Sequence, residues 1–94
     1  MHFLYILYSK KLDRYYIGET ADVSFRLKLH LDKAFSTSFT SRSDDWELVF
    51  SFQTQTKEDS LYLEKFIKRM KSKKFIEKIM GNPEILNEVL KEKK

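Results

Sequence analysis

Phe3-Leu4-Tyr5-Ile6-Leu7-Tyr8, followed after a polar interval by Tyr15-Tyr16-Ile17-Gly18, is the stretch from which the fold can be read. The first run is continuous, aromatic and branched, and its shortness predicts a strand buried on both faces. Ser9 to Arg14 is polar and carries turn chemistry at Asp13, after which Tyr15-Tyr16-Ile17 resumes an extended segment, so the two runs predict a β-hairpin. Side chains alternate along a strand. Phe3, Tyr5 and Leu7 therefore share one face of the first strand, and Tyr16 and Gly18 share one face of the second.

Outward from the hairpin, Thr20 or Asp22 can cap a helix that carries Val23, Leu27, Leu31 and Ala34 at helical spacing. Arg26 and His30 lie four apart on that helix, neighbours on a face bordering the apolar stripe. Phe25 and Leu29 fall away from the stripe and call for a cover, either the last helix or a second chain. Phe35 to Asp45 is rich in Ser and Thr, lacks an apolar period and reads as a loop holding Arg42. Trp46 to Phe52 alternates as a third strand. Thr56 with Asp59 resembles a capping box for a helix to about Lys71, with Leu63, Phe66, Ile67 and Met70 as its stripe and Glu64 at the polar border. Ser72 can cap a short helix through Met80 with Gly81 as its stop, and Asn82-Pro83 can open a last helix through Leu90. The expected order is ββαβα plus one or two C-terminal helices: an α/β chain of the α+β type, with a small, mainly three-stranded antiparallel sheet flanked by helices.

A length of 94 residues at 41% hydrophobic content suits one core and not two, since most domains need about 100 residues. The expected domain spans residues 1–80, with 81–94 a C-terminal helix belonging to it. Two glycines and one proline leave no flexible linker, and there is no internal repeat. The absence of cysteine excludes disulfides, zinc-thiolate sites and a thiol nucleophile, and fits a reducing compartment, with the cytoplasm as the expected location. The N-terminal apolar run lacks a basic leader and a small-residue cleavage site, and reads as a strand and not a signal peptide. Nothing approaches the ~18–20 apolar residues of a membrane span. Eighteen basic against fourteen acidic residues give a net charge of +4, which favours a polyanionic partner without identifying one. Lys68, Arg69, Lys71, Lys73 and Lys74 form the densest basic run. Such runs are more often solvated helix faces than binding sites.

Phe3-Leu4-Tyr5 followed by Tyr16-Ile17-Gly18 resembles the paired triplets of GIY-YIG nucleases, and the resemblance continues through Arg26, His30 and Glu64 over roughly residues 1 to 80. The chain looks like the small stand-alone bacterial members that consist of little but this domain. Phe3 stands where the first triplet usually has glycine and Leu4 where it has isoleucine. No residue convincingly matches the late asparagine of some relatives; Asn82 is nearest, and capping explains it equally well. The resemblance implies a metal-dependent endonuclease that hydrolyses DNA phosphodiester bonds to a 5′-phosphate and a 3′-hydroxyl, with a role in DNA repair or recombination.

It also implies roles, each of which competes with a plainer one. Tyr5 would be the general base toward water, although an unperturbed phenol titrates near ~10 and needs cationic charge beside it to serve at neutral pH; its plainer reading is an ordinary amphipathic strand tyrosine. Tyr16 would hydrogen-bond the phosphate or its water, and Gly18 would permit close approach of backbone and phosphate, where a strand-end glycine otherwise marks a bulge. Arg26 would stabilise the phosphorane and lower the phenol's pKa, against a solvated helix arginine. His30 would orient a phosphate oxygen or shuttle a proton, against a structural histidine. Glu64 would be the single carboxylate ligand of Mg²⁺ or Mn²⁺, against an i,i+4 ion pair with Lys68. Arg42, Lys68, Lys71, Lys73 and Lys74 are the expected backbone contacts; with no recognition helix, cutting would be structure-directed or weakly selective. RNA is not excluded as a partner, and a monomer and a homodimer both stay open. The competing readings are a non-catalytic nucleic-acid-binding module of the same fold, and a dimerising protein whose late helices associate.

Overall fold

The computed structural model of the chain describes residues 1–31, 43 and 45–93, and for His30 and Leu31 the backbone alone. Strand β1 (His2–Ser9) and strand β2 (Arg14–Thr20) form the expected hairpin, helix α1 (Val23–Leu31) follows, and strand β3 (Glu47–Thr54) leads to helices α2 (Lys57–Met70), α3 (Lys73–Gly81) and α4 (Glu84–Lys91). The sheet is antiparallel in the order β2-β1-β3. The first apolar run is thus the central strand, which is why it is apolar at consecutive positions. Leu4 and Ile6 face one side and Tyr5 and Leu7 the other, all essentially inaccessible.

The larger core lies on the Leu4–Ile6 side, where Ile17, Leu63, Ile67, Ile76, Ile79, Leu86 and Val89 bring α2, α3 and α4 together. Each such side chain contributes about 1.5–3 kcal/mol when fully buried. The last helix belongs to this core through Leu86 and Val89 and does not cover Phe25, which stays 59% exposed on α1. Of the stripe expected on α2, Leu63 and Ile67 are buried while Met70 is exposed, because the helix stops there.

A smaller cluster on the opposite side gathers Tyr5, Leu7 and Trp46 with Tyr16, Val23 and Leu27 packed against them. Trp46 reaches it through an irregularity that simple alternation did not foresee. Ile6 pairs with Phe50 but Leu7 pairs with Leu48, so Val49 is an extra residue that reverses the facing of β3. Phe50 and Phe52 therefore join the helical core while Trp46, of the same parity, packs beside Tyr16.

The caps follow local chemistry. Asp22 Oδ1 accepts from Phe25 N at 3.0 Å, Thr56 Oγ1 from Asp59 N at 3.1 Å and Ser72 Oγ from Phe75 N at 3.1 Å. Gly81 does not stop α3 by a left-handed turn, since no glycine has positive φ among the described residues. The helix instead ends at Asn82, whose N–H donates to Lys78 O at 3.0 Å, and Pro83 forces the chain out. Asn82 is thus a C-cap of α3, and α4 has no side-chain cap.

The hairpin's turn end is tied to the approach to β3. Asp45 Oδ1 accepts from Ser9 Oγ at 2.6 Å and from Ser43 Oγ, and Oδ2 accepts from Lys11 N at 2.9 Å. These donors hold the Asp45 carboxyl well below the usual carboxylate range, Ser43 contributing most and Ser9 next. An unfolded aspartate titrates near ~3.9, so below that pH the unfolded chain takes up a proton that the native state resists. The contribution is complete above about pH 4 and is lost as pH falls further. Asp45→Asn should accordingly lower the neutral-pH urea midpoint and flatten its decline on acidification; an unchanged midpoint would show that the network holds nothing.

Candidate active site

The site is built on the hairpin. Tyr5 and Gly18 are direct cross-strand partners, as are Leu7 and Tyr16, so the two motif tyrosines share one face. Their rings lie 6.3 Å apart between centroids, tilted at 43°. A Cβ on Gly18 would fall 2.5 Å from Tyr5 Oη and 2.6 Å from its Cζ, distances that no side chain tolerates. Close approach is therefore required at Gly18, and the Tyr5 ring is the group that makes it. Glycine is needed because the ring, 2% exposed, has nowhere else to go.

Tyr16 meets Trp46 edge-on, with centroids 6.5 Å apart. On its other flank the Lys68 ammonium sits 5.7 Å from the ring centroid. Lys68 also donates to Glu64 Oε2 at 2.7 Å, the i,i+4 ion pair that helical spacing permits. Since Leu63 and Ile67 anchor α2 on the opposite side of the sheet, Glu64 and Lys68 are the residues by which α2 reaches past the outer edge of β2 to the tyrosine face.

The electrostatics of Tyr5 record which groups surround it. Burial pushes its phenol above the ordinary range and the Tyr16 phenol adds to that; the half-buried Arg26 guanidinium pulls it down, and the Glu64 and Glu19 carboxylates push it up again. Arg26 does what its charge predicts, but burial outweighs it, so the phenol is held more firmly protonated than in water. Tyr16, Arg26 and Glu64 thus all lie near enough to act on Tyr5. His30 lies one turn beyond Arg26 on α1, its side chain outside what is described, and Arg42 lies outside the described residues. Lys71, Lys73 and Lys74 sit farther along, at the turn from α2 to α3 and in the first turn of α3.

Two neighbours were not singled out from sequence. Trp46 could not be, because the bulge that turns it toward Tyr16 leaves no local signature. Glu19, which follows the motif glycine and accepts from or pairs with His2 Nδ1 at 3.0 Å, could have been noted from its place in the chain.

Among the described residues no group of three or more His, Asp or Glu side chains could hold a metal ion. The donor set consists of the Glu64 carboxylate beside two phenols. It fits a hard divalent ion that keeps most of its water and does not fit a fully protein-coordinated site.

A three-stranded antiparallel sheet with a tyrosine pair on one face and helices packed on both defines a small α+β domain. The family profile described as GIY-YIG catalytic domain matches residues 1–78, and the chain belongs to the GIY-YIG family. No curated protein and no solved structure matches it. Among the described residues no helix is long and apolar enough to cross a membrane.

Two outcomes follow from this geometry. Gly18→Ala should destabilise the fold by about 1–3 kcal/mol, a penalty that shrinks towards zero in a Tyr5→Ala background and largely persists with Tyr5→Phe, as a denaturation double-mutant cycle would read; equal penalties in all three backgrounds would remove the ring contact as the cause. In an ultraviolet pH titration without metal, Tyr5 should ionise above the ordinary tyrosine range, because burial disfavours its charged form. Because the native state holds this proton after the unfolded chain has released it, stability is complete below about pH 10 and declines above. A Tyr5→Phe titration that superimposes on wild type up to that range and lacks one transition above it is the expected result.

Proposed function

We propose that this chain is a metal-dependent endonuclease that hydrolyses DNA phosphodiester bonds with Tyr5 as general base. The observation carrying the proposal is the convergence of a buried phenol, a second phenol, a guanidinium and a carboxylate on one side of the hairpin. Cleavage requires a water aligned behind phosphorus and deprotonated, and the added negative charge stabilised. As the phenolate, its own proton first released to solvent, Tyr5 accepts the water's proton, Tyr16 hydrogen-bonds the water or a phosphate oxygen, and Arg26 presents its planar fork to the phosphorane oxygens. The bond from phosphorus to the 3′-oxygen breaks, that oxygen leaving with a proton taken from solvent. His30 orients a phosphate oxygen or carries a proton away. Glu64 would hold Mg²⁺ or Mn²⁺ in place of its ion pair with Lys68. The bound ion supplies Lewis-acid polarisation of a phosphate oxygen and positive charge near the phenol.

Burial increases the need for that last contribution. With Arg26 alone, Tyr5 stays protonated at neutral pH and is a poor base, so activity depends on further cationic charge reaching the pocket. Arg42 and Lys68, Lys71, Lys73 and Lys74 would grip the sugar-phosphate backbone, which favours structure-directed or weakly selective cutting. Placement in DNA repair or recombination follows from the family alone.

The Glu64–Lys68 pair and the raised Tyr5 phenol are what a non-catalytic binding module would also exhibit, and one assay separates the two readings. Labelled branched and linear DNAs incubated with Mg²⁺ or Mn²⁺ should be cut by the wild type, with Tyr5→Phe and Glu64→Ala reduced by about 100-fold or more and chelation abolishing cutting. Binding without cutting would establish the module, and equal cutting by all three proteins would trace the activity to a contaminant.

A further inference from the structure

Beside the tyrosine face lies an open groove of about 320 Å³ between the outer edge of β2 and the turn joining α2 to α3. It falls at the small end of ligand-sized clefts, ~300–1,000 Å³. Its floor is apolar, formed by Ile67 and Ile76 with the half-buried Tyr15 ring beside them, and Arg14, Lys71 and Lys73 stand on its rim. Lys68 lines it as well, and the same ammonium lies over Tyr16 and against Glu64, so groove and candidate active site are continuous.

The cations at this place run against local stability. Lys71 has φ 48° and ψ 41°, a left-handed conformation that favours glycine. Lys73 and Lys74 occupy the first turn of α3, where the helix dipole disfavours positive charge, and no acidic residue accompanies them there. Asp13 neutralises Lys73 at 2.9 Å and lies near Arg14 as well, Glu64 neutralises Lys68 at 2.7 Å and the Glu77 carboxylate lies beside Tyr15, whereas Lys71 makes no ion pair among the described residues. An apolar floor that accepts a flat ring, beneath a rim that attracts anions, has the two-part chemistry of a nucleotide.

We propose that this groove seats one unpaired nucleotide of the substrate strand, its base on the Tyr15–Ile67–Ile76 floor and its flanking phosphates on Arg14 and Lys71. A base stacked inside a duplex cannot enter, so the groove selects strands with an unpaired nucleotide next to the bond at the tyrosines. The proposal rests on the nucleic-acid reading above and adds to it the feature of the substrate that is recognised.

The test is binding in EDTA, where cutting cannot intervene. Anisotropy of a labelled oligothymidylate is compared with that of an abasic sugar-phosphate chain of the same length, for wild type, Lys71→Gly and Lys71→Arg. Lys71→Gly removes the charge while relieving the positive φ, so it leaves folding intact. The thymidylate should bind about fivefold or more tighter than the abasic chain. Lys71→Gly should weaken both about threefold to tenfold and make the salt dependence shallower by about 0.7 in log–log slope, with Lys71→Arg restoring it. Photocrosslinking through 4-thiothymidine should label Tyr15 or residues 71–76. Equal affinity for both chains, or crosslinks confined elsewhere, would overturn the base seat; an unchanged Lys71→Gly affinity would overturn the rim. Cutting by the wild type despite any of these results leaves the nuclease standing and this groove refuted, whereas the expected binding pattern without cutting refutes the nuclease alone.

Discussion

The contact between the Tyr5 ring and the bare backbone of Gly18 is the constraint around which this protein is organised. It can exist only if the two residues are direct partners across the hairpin, and a one-residue slip would carry Tyr5 to the helical side and Leu4 and Ile6 to the tyrosine face. Register, burial of the central strand and placement of the phenol are therefore one condition. Because the ring fills the space above the glycine, its hydroxyl is held in an enclosed position, and this enclosure raises the phenol's affinity for its proton.

Two requirements of different origin meet in the sheet. One face is given to stability, with isoleucines and leucines from three helices against Leu4 and Ile6. The other carries the tyrosines, Trp46 and helix α1. Helix α2 serves both, since its apolar stripe fixes it to the first face while Glu64 and Lys68, on the border of that stripe, extend toward the second. Amphipathic periodicity that evolved to bury Leu63 and Ile67 thereby sets how far a carboxylate and an ammonium reach. The Lys68 ammonium pairs with the Glu64 carboxylate, and burial keeps the Tyr5 phenol neutral.

Much of this was legible in the chain because it is local. The continuous apolar run reads as a strand buried on both faces, Asp13 adopts the left-handed turn conformation its side chain tolerates, and Asp22, Thr56 and Ser72 cap helices where their residue types predict. The spacing of Tyr5, Tyr16, Arg26, His30 and Glu64 was readable as a family pattern for the same reason: each is fixed by position within its own element.

What the sequence could not determine was any relation that depends on two elements meeting. The facing of Trp46 was decided by the bulge at Val49, the occupant of the space over Gly18 by cross-strand packing, and the end of α3 by Asn82 and Pro83 together and not by Gly81. The sign of the shift at Tyr5 was likewise a tertiary result. Residue types announce that arginine lowers a phenol's pKa, but only assembled neighbours determine how much water the phenol has lost, and here desolvation is the larger effect. Periodicity and capping act over a few residues and survive in a linear string; facing, enclosure and electrostatic balance arise from distant segments sharing one volume, which the folded chain alone defines.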